Sequence, residues 1–192
     1  MNEPMDRLSL QIADEDVMAQ VQNGDLDRMS VLFDRYQSPL YQFFRRQSLD
    51  SSASEDLVQE VFVRVMRFRG TYRAGATFRS WLYQIARNTR IDYLRRALRE
   101  TTVDDSFGDT FTTEAAVDTA LEASDQARML RRALARLPER KREVLLLSRY
   151  QGLKYKEIAD LMGCDVNTIK VRIHRSVQEL REVFLQLTEG RA

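Results

Sequence analysis

The sequence of 192 residues contains a single cysteine and a single histidine. One cysteine cannot form an internal disulfide, and a metal site usually needs several ligands. We therefore expect no metal, no cofactor and a reducing compartment, which makes the cytoplasm the predicted location. The sequence also has no phosphate-binding loop and no dinucleotide-binding glycine motif, so neither an enzymatic function nor a small-molecule substrate is expected.

Glycine and proline are scarce as well, with 7 and 3 residues, while 43% of the residues are hydrophobic. So few turn-forming residues argue against a loop-rich all-β protein and favour packed helices. No apolar run reaches the roughly 18 residues that a transmembrane helix needs, so no membrane insertion is expected. Residues 1–16 are acidic and lack the apolar core of a secretion signal.

The net charge of +1 conceals a strong segregation of charge along the chain. Residues 64–100 carry ten arginines and two acids, and residues 128–156 carry ten basic side chains and two acids. Between them, residues 101–127 carry seven acids and no basic residue. Two basic blocks predict two surfaces that bind a polyanion, although each block alone is equally compatible with a solvated helix face.

The N-terminal half has helical periodicity. Residues 14–22 form a short amphipathic pattern, and a longer pattern follows in which Pro39 is expected to kink or divide the helix. Ser54 is the predicted cap of a third helix, whose apolar stripe runs along residues 57–66. Residues 78–100 then give about six helical turns without glycine or proline.

The centre of the chain separates this half from a second helical part. Residues 101–118 show no clear period and are rich in Thr and Asp, so they predict an acidic flexible linker. The sequence therefore predicts an all-α protein with two helical domains. We place the first domain at 1–99, the linker at 100–123 and the second domain at 124–188.

The second domain begins with two predicted helices. The first is expected to run from the cap residue Ser124 to Leu137, because the residue before a proline disfavours helix. Pro138 is expected in the first turn of the next helix. That helix is expected to run to about Gln151 and to be ended by Gly152.

Residues 152–180 hold two further helical patterns. Gly163 suits the sharp turn between them, and Asp165 can cap the second helix. The predicted buried side of that helix consists of Ile169, Ile173, Val177 and Leu180. The opposite side is polar and basic, with Asn167, Lys170, Val171, His174 and Gln178 on it and Arg172 and Arg175 flanking it. A DNA-binding helix-turn-helix has this pattern, and so does a plain helical hairpin with a solvated face.

These stretches resemble bacterial RNA polymerase sigma factors of the sigma-70 family, in its extracytoplasmic-function (ECF) group. "LPERKREVLLLSRYQGLKYKEIADLMGCDVNTIKVRIHRSVQEL" resembles region 4, while "EDLVQEVFVRVMR" and "TFRSWLYQIARNTRIDYLRR" resemble parts of region 2. The family usually has Ser at Lys154 and often has Pro at Asp165. The Lys side chain cannot accept a capping hydrogen bond. Its absence lowers the stability of the helix by on the order of 1 kcal/mol unless a neighbouring residue provides another cap.

The resemblance implies a protein that carries RNA polymerase core to promoter DNA. Region 4 would read the −35 element through Asn167, Lys170, Val171, Arg172, His174 and Arg175. Region 2 would read and melt the −10 element through Phe68, Tyr72, Trp81, Ile85, Arg87, Asn88, Arg95 and Arg96. Four of these, Phe68, Tyr72, Ile85 and Asn88, match the pocket that receives a flipped base. Arginines suit phosphates and aromatic pockets suit unstacked bases, although Trp81 and Ile85 are equally plausible as core residues.

The resemblance also implies protein partners. The exposed side of the helix at 55–67 would bind the clamp helices of the largest polymerase subunit, and the polymerase flap is a second expected contact. The residues predicted to contact the clamp helices are Asp56, Gln59, Glu60 and Val63. An anti-sigma factor is a further partner that the resemblance allows, and the sequence does not identify one.

Two other functions explain part of the sequence. A helix-turn-helix activator with a helical sensor domain would account for the C-terminal stretch but leaves residues 78–96 without a role. A helical adaptor that binds only protein would leave both basic blocks without a role. In vitro transcription separates these functions, because only a sigma factor lets core polymerase initiate specifically without another sigma factor.

Overall fold

A computed structural model describes residues 12–47, 49–73, 75–101 and 125–189. Within these ranges the chain forms eight α-helices and no strand, which confirms the predicted all-α fold. The helices are α1 (Asp14–Gln22), α2 (Met29–Arg46), α3 (Ser51–Phe68), α4 (Phe78–Thr101), α5 (Asp125–Arg136), α6 (Glu139–Leu145), α7 (Tyr155–Met162) and α8 (Val166–Glu189). The predicted linker from residue 102 onward and the predicted cap Ser124 lie outside the described residues. None of the described helices is long and apolar enough to cross a membrane.

Helices α1 to α4 form the N-terminal bundle. Helix α3 packs against α2 and α4, and α1 also contacts both of these helices. Large side chains such as Phe43, Phe78 and Tyr83 are completely buried in the core. The rings of Phe43 and Tyr83 meet edge to face with centroids 5.3 Å apart. Burial of such rings stabilises the bundle by roughly 25 cal/mol for each Å² of apolar surface removed from water.

Helix α2 continues through Pro39 as one helix of 18 residues, so Pro39 does not divide it. Proline has no N–H, so Pro39 cannot donate the hydrogen bond that a helical residue makes to the carbonyl four residues earlier. Tyr36 and Leu40, on either side of Pro39, are both buried in the core. Their packing holds the two halves of the helix together despite the missing hydrogen bond.

Helix α3 begins earlier than predicted, and its cap is Asp50 rather than Ser54. The Asp50 carboxylate accepts a hydrogen bond from the Ala53 N–H at 2.7 Å. Ser54 is buried inside the helix, and its hydroxyl donates to the Asp50 carbonyl at 2.7 Å. A negative charge is more favourable than a neutral hydroxyl at the positive end of a helix, which explains the earlier start.

Helices α5 to α8 form the C-terminal bundle, in which α8 packs against the other three helices. Pro138 precedes α6 with φ −51° and ψ 139°, so it occupies the N-cap position, without a capping side-chain hydrogen bond, and does not lie in the first turn as expected. After α6 the chain continues in a π-helical turn, Leu146–Tyr150. Gly152 follows with a φ of +66°, in agreement with the predicted end of this helical stretch.

The buried side of α8 differs from the prediction at one position. Val177 is 38% exposed, whereas Ser176 is completely buried and donates its hydroxyl hydrogen to the Arg172 carbonyl at 2.7 Å. The buried positions Ile169, Ile173 and Ser176 follow spacings of four and three residues. These spacings average close to the 3.6 residues of a helical turn, whereas two successive spacings of four move Val177 off the buried side.

The two bundles pack against each other, and their buried apolar residues form one continuous cluster. Helix α4 contacts α7, and α2 contacts both α5 and the π-helical turn. The guanidinium of Arg46 lies 4.3 Å from the centre of the Tyr150 ring, within the range of a cation–π interaction. Two domains that the sequence predicts as separate units thus share an interface.

Candidate nucleic-acid interface

The turn between α7 and α8 has the geometry of a helix-turn-helix. Gly163 adopts the left-handed conformation, with φ 64° and ψ 41°, which reverses the chain at no steric cost. The Asp165 carboxylate caps α8 by accepting a hydrogen bond from the Thr168 N–H at 2.8 Å, and it also bonds to the Thr168 hydroxyl. These hydrogen bonds from Thr168 lower the pKa of Asp165. Asp165 therefore fixes the start of α8.

Helix α7 has half of a reciprocal cap. The Glu157 carboxylate accepts a hydrogen bond from the Lys154 N–H at 2.6 Å. The ammonium group of Lys154 has no lone pair, so it cannot return a bond to the Glu157 N–H. Glu157 is thus the neighbour that replaces part of the cap lost at Lys154.

Helix α8 presents a basic face outside the C-terminal bundle. The exposed residues of this face are Asn167, Lys170, Val171, His174 and Arg175. Ile169 and Ile173 are buried and hold the opposite side of the helix against the core. Arg172 is half-buried, with its Nη1 atom 3.6 Å from the Met162 sulfur, so it lies toward α7. A helix held in this way can enter the major groove of DNA.

A second candidate site lies beside α4, where an open cavity of about 510 Å³ is lined by apolar and basic side chains. Its lining residues are Arg64, Phe68, Ile85, Arg87, Asn88, Ile91, Asp92 and Arg95. The cavity brings together three of the four residues predicted for a base pocket. Phe68 and Ile85 offer apolar surface, and Asn88 is exposed and carries an amide that can donate and accept hydrogen bonds. Such a combination can hold an unstacked base by ring contact and hydrogen bonding.

Three predicted −10 residues do not line this cavity, namely Tyr72, Trp81 and Arg96. Tyr72 is buried, with its ring 5.3 Å from that of Trp81 and 6.2 Å from that of Phe78. The Tyr72 hydroxyl donates to the Ala76 carbonyl at 2.6 Å, and burial raises its pKa. In this structure Tyr72 and Trp81 support the loop that precedes α4. Arg96 is also absent from the lining and lies exposed one residue beyond Arg95.

The sequence did not reveal an ion-pair network centred on Arg64. Its Nε atom lies 2.7 Å from the Glu60 carboxylate, and its Nη1 atom lies 2.7 Å from that of Asp92. Arg64 therefore joins α3 to α4 at the edge of the cavity. In the sequence, this network was indicated only by the spacing of four residues between Glu60 and Arg64, which places both side chains on one side of a helix.

The remaining predicted surface lies on α3. Asp56, Gln59 and Val63 are exposed, and Val63 has 61% of its surface accessible. Glu60 is half-exposed because of its contact with Arg64. An apolar side chain among acidic and polar ones suits a protein partner better than DNA. Among the described residues, no group of three or more His, Cys, Asp or Glu side chains could hold a metal ion.

Comparison with known proteins decides the family. The model of Sigma-70 region 2 matches residues 32–100, which include the cavity, and that of Sigma-70, region 4 matches residues 127–180, which include the helix-turn-helix. The RNA polymerase sigma-H factor of Pseudomonas aeruginosa is 32% identical over 185 residues, which cover 91% of this chain and 95% of that protein. The chain belongs to the sigma-70 family of RNA polymerase sigma factors.

Further similarities place this sigma factor in the ECF group. The ECF RNA polymerase sigma-E factor of Escherichia coli is 30% identical over 88% of this chain and 93% of that protein. The solved structure of the sigma factor RpoE of Bartonella quintana, in complex with the anti-sigma factor NepR, has a TM-score of 0.69. It is 25% identical and covers 83% of this chain and 96% of that one. CnrH, solved with the cytosolic domain of CnrY, has a TM-score of 0.67 at 25% identity, covering 90% and 97%.

Proposed function

We propose that this sigma factor binds RNA polymerase core through the exposed face of α3 and directs initiation at promoters with a −10 and a −35 element. The proposed core-binding residues are Asp56, Gln59, Glu60 and Val63, which would contact the clamp helices of the largest subunit. The N-terminal domain, at 1–99, melts the −10 element, and the C-terminal domain, at 124–188, reads the −35 element and contacts the flap. Its place of action is the cytoplasm, where polymerase and promoter DNA are found.

The observation that carries this proposal is the cavity beside α4. Phe68, Ile85 and Asn88 come from two helices, and yet they line the same space together with two of the predicted phosphate-binding arginines, Arg87 and Arg95. A site for a flipped base needs an apolar wall, a hydrogen-bonding edge and nearby positive charge. A helix-turn-helix activator does not need such a site, and the match to region 2 does not favour that function.

The proposal is tested by run-off transcription with purified core polymerase on a genomic promoter library. The full chain is expected to give specific transcripts without any other sigma factor. Asp56→Arg should weaken the affinity for core, because it reverses a charge on the exposed face of α3. The matched control is Asp34→Arg, an exposed residue of α2. Failure of the parent protein to give any specific transcript would overturn the proposal.

An anti-sigma factor is proposed as a further partner. NepR in the RpoE structure is named as such a protein, and the similarity of this chain to RpoE supports the proposal. No catalytic step is assigned to any residue of the chain, whose proposed role is to bind polymerase and DNA.

A further inference from the structure

Helix α1 binds the backbone of the turn that follows α3. The Gln22 Nε2 atom donates to the Arg69 carbonyl at 2.7 Å and to the Tyr72 carbonyl at 2.9 Å. A side-chain amide has two N–H hydrogens, so these two carbonyls use both of them. The two acceptors lie 47 and 50 residues away along the chain, and the 3₁₀ turn Arg69–Thr71 begins at the first of them.

The same helix also binds the start of α4. The Glu15 carboxylate accepts a hydrogen bond at 2.9 Å from the N–H of Phe78, the first residue of α4. A carboxylate is favourable at this position because the first N–H groups of a helix lack helical partners and the helix dipole is positive there. Helix α1 therefore holds the chain at two points, after α3 and at the start of α4.

Contacts of its own fix α1 to the bundle. The Asp14 carboxylate accepts hydrogen bonds from the Tyr36 hydroxyl and from the Arg35 guanidinium of α2. The buried apolar residues of α1 are Val17, Met18 and Val21. Gln22 is the last residue of this anchored helix, so its amide holds the turn against a fixed part of the bundle.

The turn that Gln22 holds begins directly after one wall of the cavity beside α4. Phe68, the last residue of α3, lines this cavity and is 43% exposed. The Thr71 hydroxyl donates to the Phe68 carbonyl at 2.8 Å, which ties Phe68 to the turn. The last carbonyls of a helix have no helical partner, and a 3₁₀ turn has poorer hydrogen-bond geometry than an α-helix. The two hydrogen bonds from Gln22 therefore fix backbone that its own local bonds hold only weakly.

We propose that Gln22 is a positioning residue of the −10 site, which sets the place of the Phe68 ring relative to Ile85 and Asn88 in the same cavity. A gap of about 0.5–1 Å forfeits roughly a quarter to a half of the attraction between two atoms in contact. A Phe68 ring that shifts by this amount discriminates less between bases. The match to Sigma-70 region 2 covers residues 32–100, so α1 lies outside it. The inference rests on the proposed function, since it concerns the same −10 site.

The base selectivity of the holoenzyme tests this role. The probes are fork promoters with a duplex −35 element and a single-stranded −10 element. Four such forks differ only in the base at the −10 position where the parent protein discriminates most. Gln22→Met keeps the length of the side chain and removes both N–H donors, so it should lower the ratio of affinities for the best and the worst base at least threefold. Gln22→Lys retains N–H donors and should lose less selectivity.

The matched control is Gln20→Met, which changes another amide of α1 whose side-chain oxygen has no hydrogen-bond partner. It should keep the selectivity of the parent protein. All variants should bind core polymerase and a −35 duplex as the parent protein does, because the turn belongs to neither of those surfaces. If Gln22→Met does not fold, Gln22→Glu replaces it, since a carboxylate has the same shape as the amide and no N–H donor.

A double-mutant cycle with Phe68→Ala separates positioning from a general loss of stability. If Gln22 acts through the Phe68 ring, Gln22→Met should not lower the selectivity further in the Phe68→Ala background, where Asn88 still provides part of the discrimination. A merely structural role would weaken binding to all four forks alike and leave the ratio between bases unchanged. Equal ratios for Gln22→Met and Gln20→Met, or additive effects in the cycle, would overturn the inference.

The parent protein separates a failure of this inference from a failure of the proposed function. A parent holoenzyme that discriminates between bases while Gln22→Met matches its control retains the proposed function and overturns only the role of Gln22. A parent holoenzyme that binds all four forks equally at every −10 position overturns the proposed −10 recognition and the inference together.

Discussion

Asn88 is the residue whose placement is most specific to −10 recognition. It is exposed on α4 and lines the cavity, so its amide is available for a base edge. Asn88→Ala should leave the fold intact and reduce the formation of open complexes by on the order of tenfold, since one good base contact contributes about 1–3 kcal/mol. The reduction is measured as permanganate-reactive promoter in the holoenzyme.

Gln84→Ala is the matched control for Asn88. Gln84 is an exposed amide one turn earlier on the same helix and is not part of the cavity lining. The Gln84→Ala variant should therefore melt promoters as well as the parent protein does. A promoter that is already mismatched at −10 should recover only the melting part of the Asn88→Ala defect. Equal melting by Asn88→Ala and the parent would show that the base lies elsewhere.

Glu139 and Glu143 both face arginines of α4. Neutralising the two carboxylates one at a time should nevertheless change the Tm in opposite directions. Burial raises the pKa of Glu143 above its ordinary 4.5, so the stability that its protonated form provides is present below pH 4.5 and is lost as the pH rises through the raised pKa. Glu143→Gln should therefore raise the Tm at pH 7 by about 2–4 °C, as expected for on the order of 1 kcal/mol. The gain should shrink as the pH falls toward 4.5.

Glu139→Gln should change the Tm in the opposite direction in the same experiment. The hydrogen bond from Arg90 lowers the pKa of Glu139, so its contribution is present above pH 4.5 and is lost as the pH falls through the lowered pKa. Its removal should lower the Tm at pH 7. Thermal unfolding of both variants from pH 4 to pH 8 checks this pair of predictions. If Glu143→Gln also lowers the Tm at pH 7, the ionised Glu143 is stabilising and the burial argument is wrong.

At the scale of single helices, most of the fold could be predicted because the signal is local. The spacing of apolar residues predicted α1, α4 and α7 with small errors at their ends, and it predicted α8, which continues beyond residue 180 to Glu189. The errors arose where two local signals competed. Asp50 caps α3 in preference to Ser54, four residues later, and Ser176 replaces Val177 on the buried side because helical geometry outweighs hydrophobicity there. A serine at a buried helical position is tolerated since its hydroxyl bonds to the Arg172 carbonyl.

Helix α8 provides a prediction that separates base contacts from phosphate contacts. Lys170 and His174 are exposed and four residues apart, so they share the centre of the basic face, whereas Arg175 lies at its border. Lys170→Ala should lose affinity and relax the preference for one or two adjacent −35 positions. Arg175→Ala should weaken binding to all sequences alike and reduce the salt slope by roughly one unit.

The assay is binding of the full chain to a set of −35 duplexes at two or more salt concentrations. Arg181→Ala is the control, because Arg181 is exposed on the same helix but lies beyond residues 127–180, which match region 4. It should change neither the preference nor the slope. A uniform loss for Lys170→Ala together with a changed preference for Arg175→Ala would mean that their roles are reversed.

At the scale of the whole molecule, the contact between the two bundles was not predictable from the sequence. The alternation of basic and acidic blocks suggested two separate surfaces for polyanions. That prediction used only the average charge of each block, which does not show which charged residues pair with each other. The two acids inside the second basic block form ion pairs across this contact, and their partners Arg87 and Arg90 lie about 50 residues away along the chain. A pairing over such a distance depends on how the bundles pack, and helical periodicity does not contain that information.

The shared core predicts how the molecule unfolds. Apolar residues of both bundles form one buried cluster, and the ion pairs of Arg87 with Glu143 and of Arg90 with Glu139 add to it. The two bundles should therefore unfold in a single cooperative calorimetric transition at pH 7, because neither can open without exposing surface of the other. Glu139→Lys/Glu143→Lys should split this transition in two, with the bundle that is less stable by itself unfolding first. The control Asp27→Lys/Asp34→Lys, which makes the same change in net charge at two exposed residues, should keep one transition. Two transitions in the parent, unchanged in the variant, would mean that the bundles do not stabilise each other.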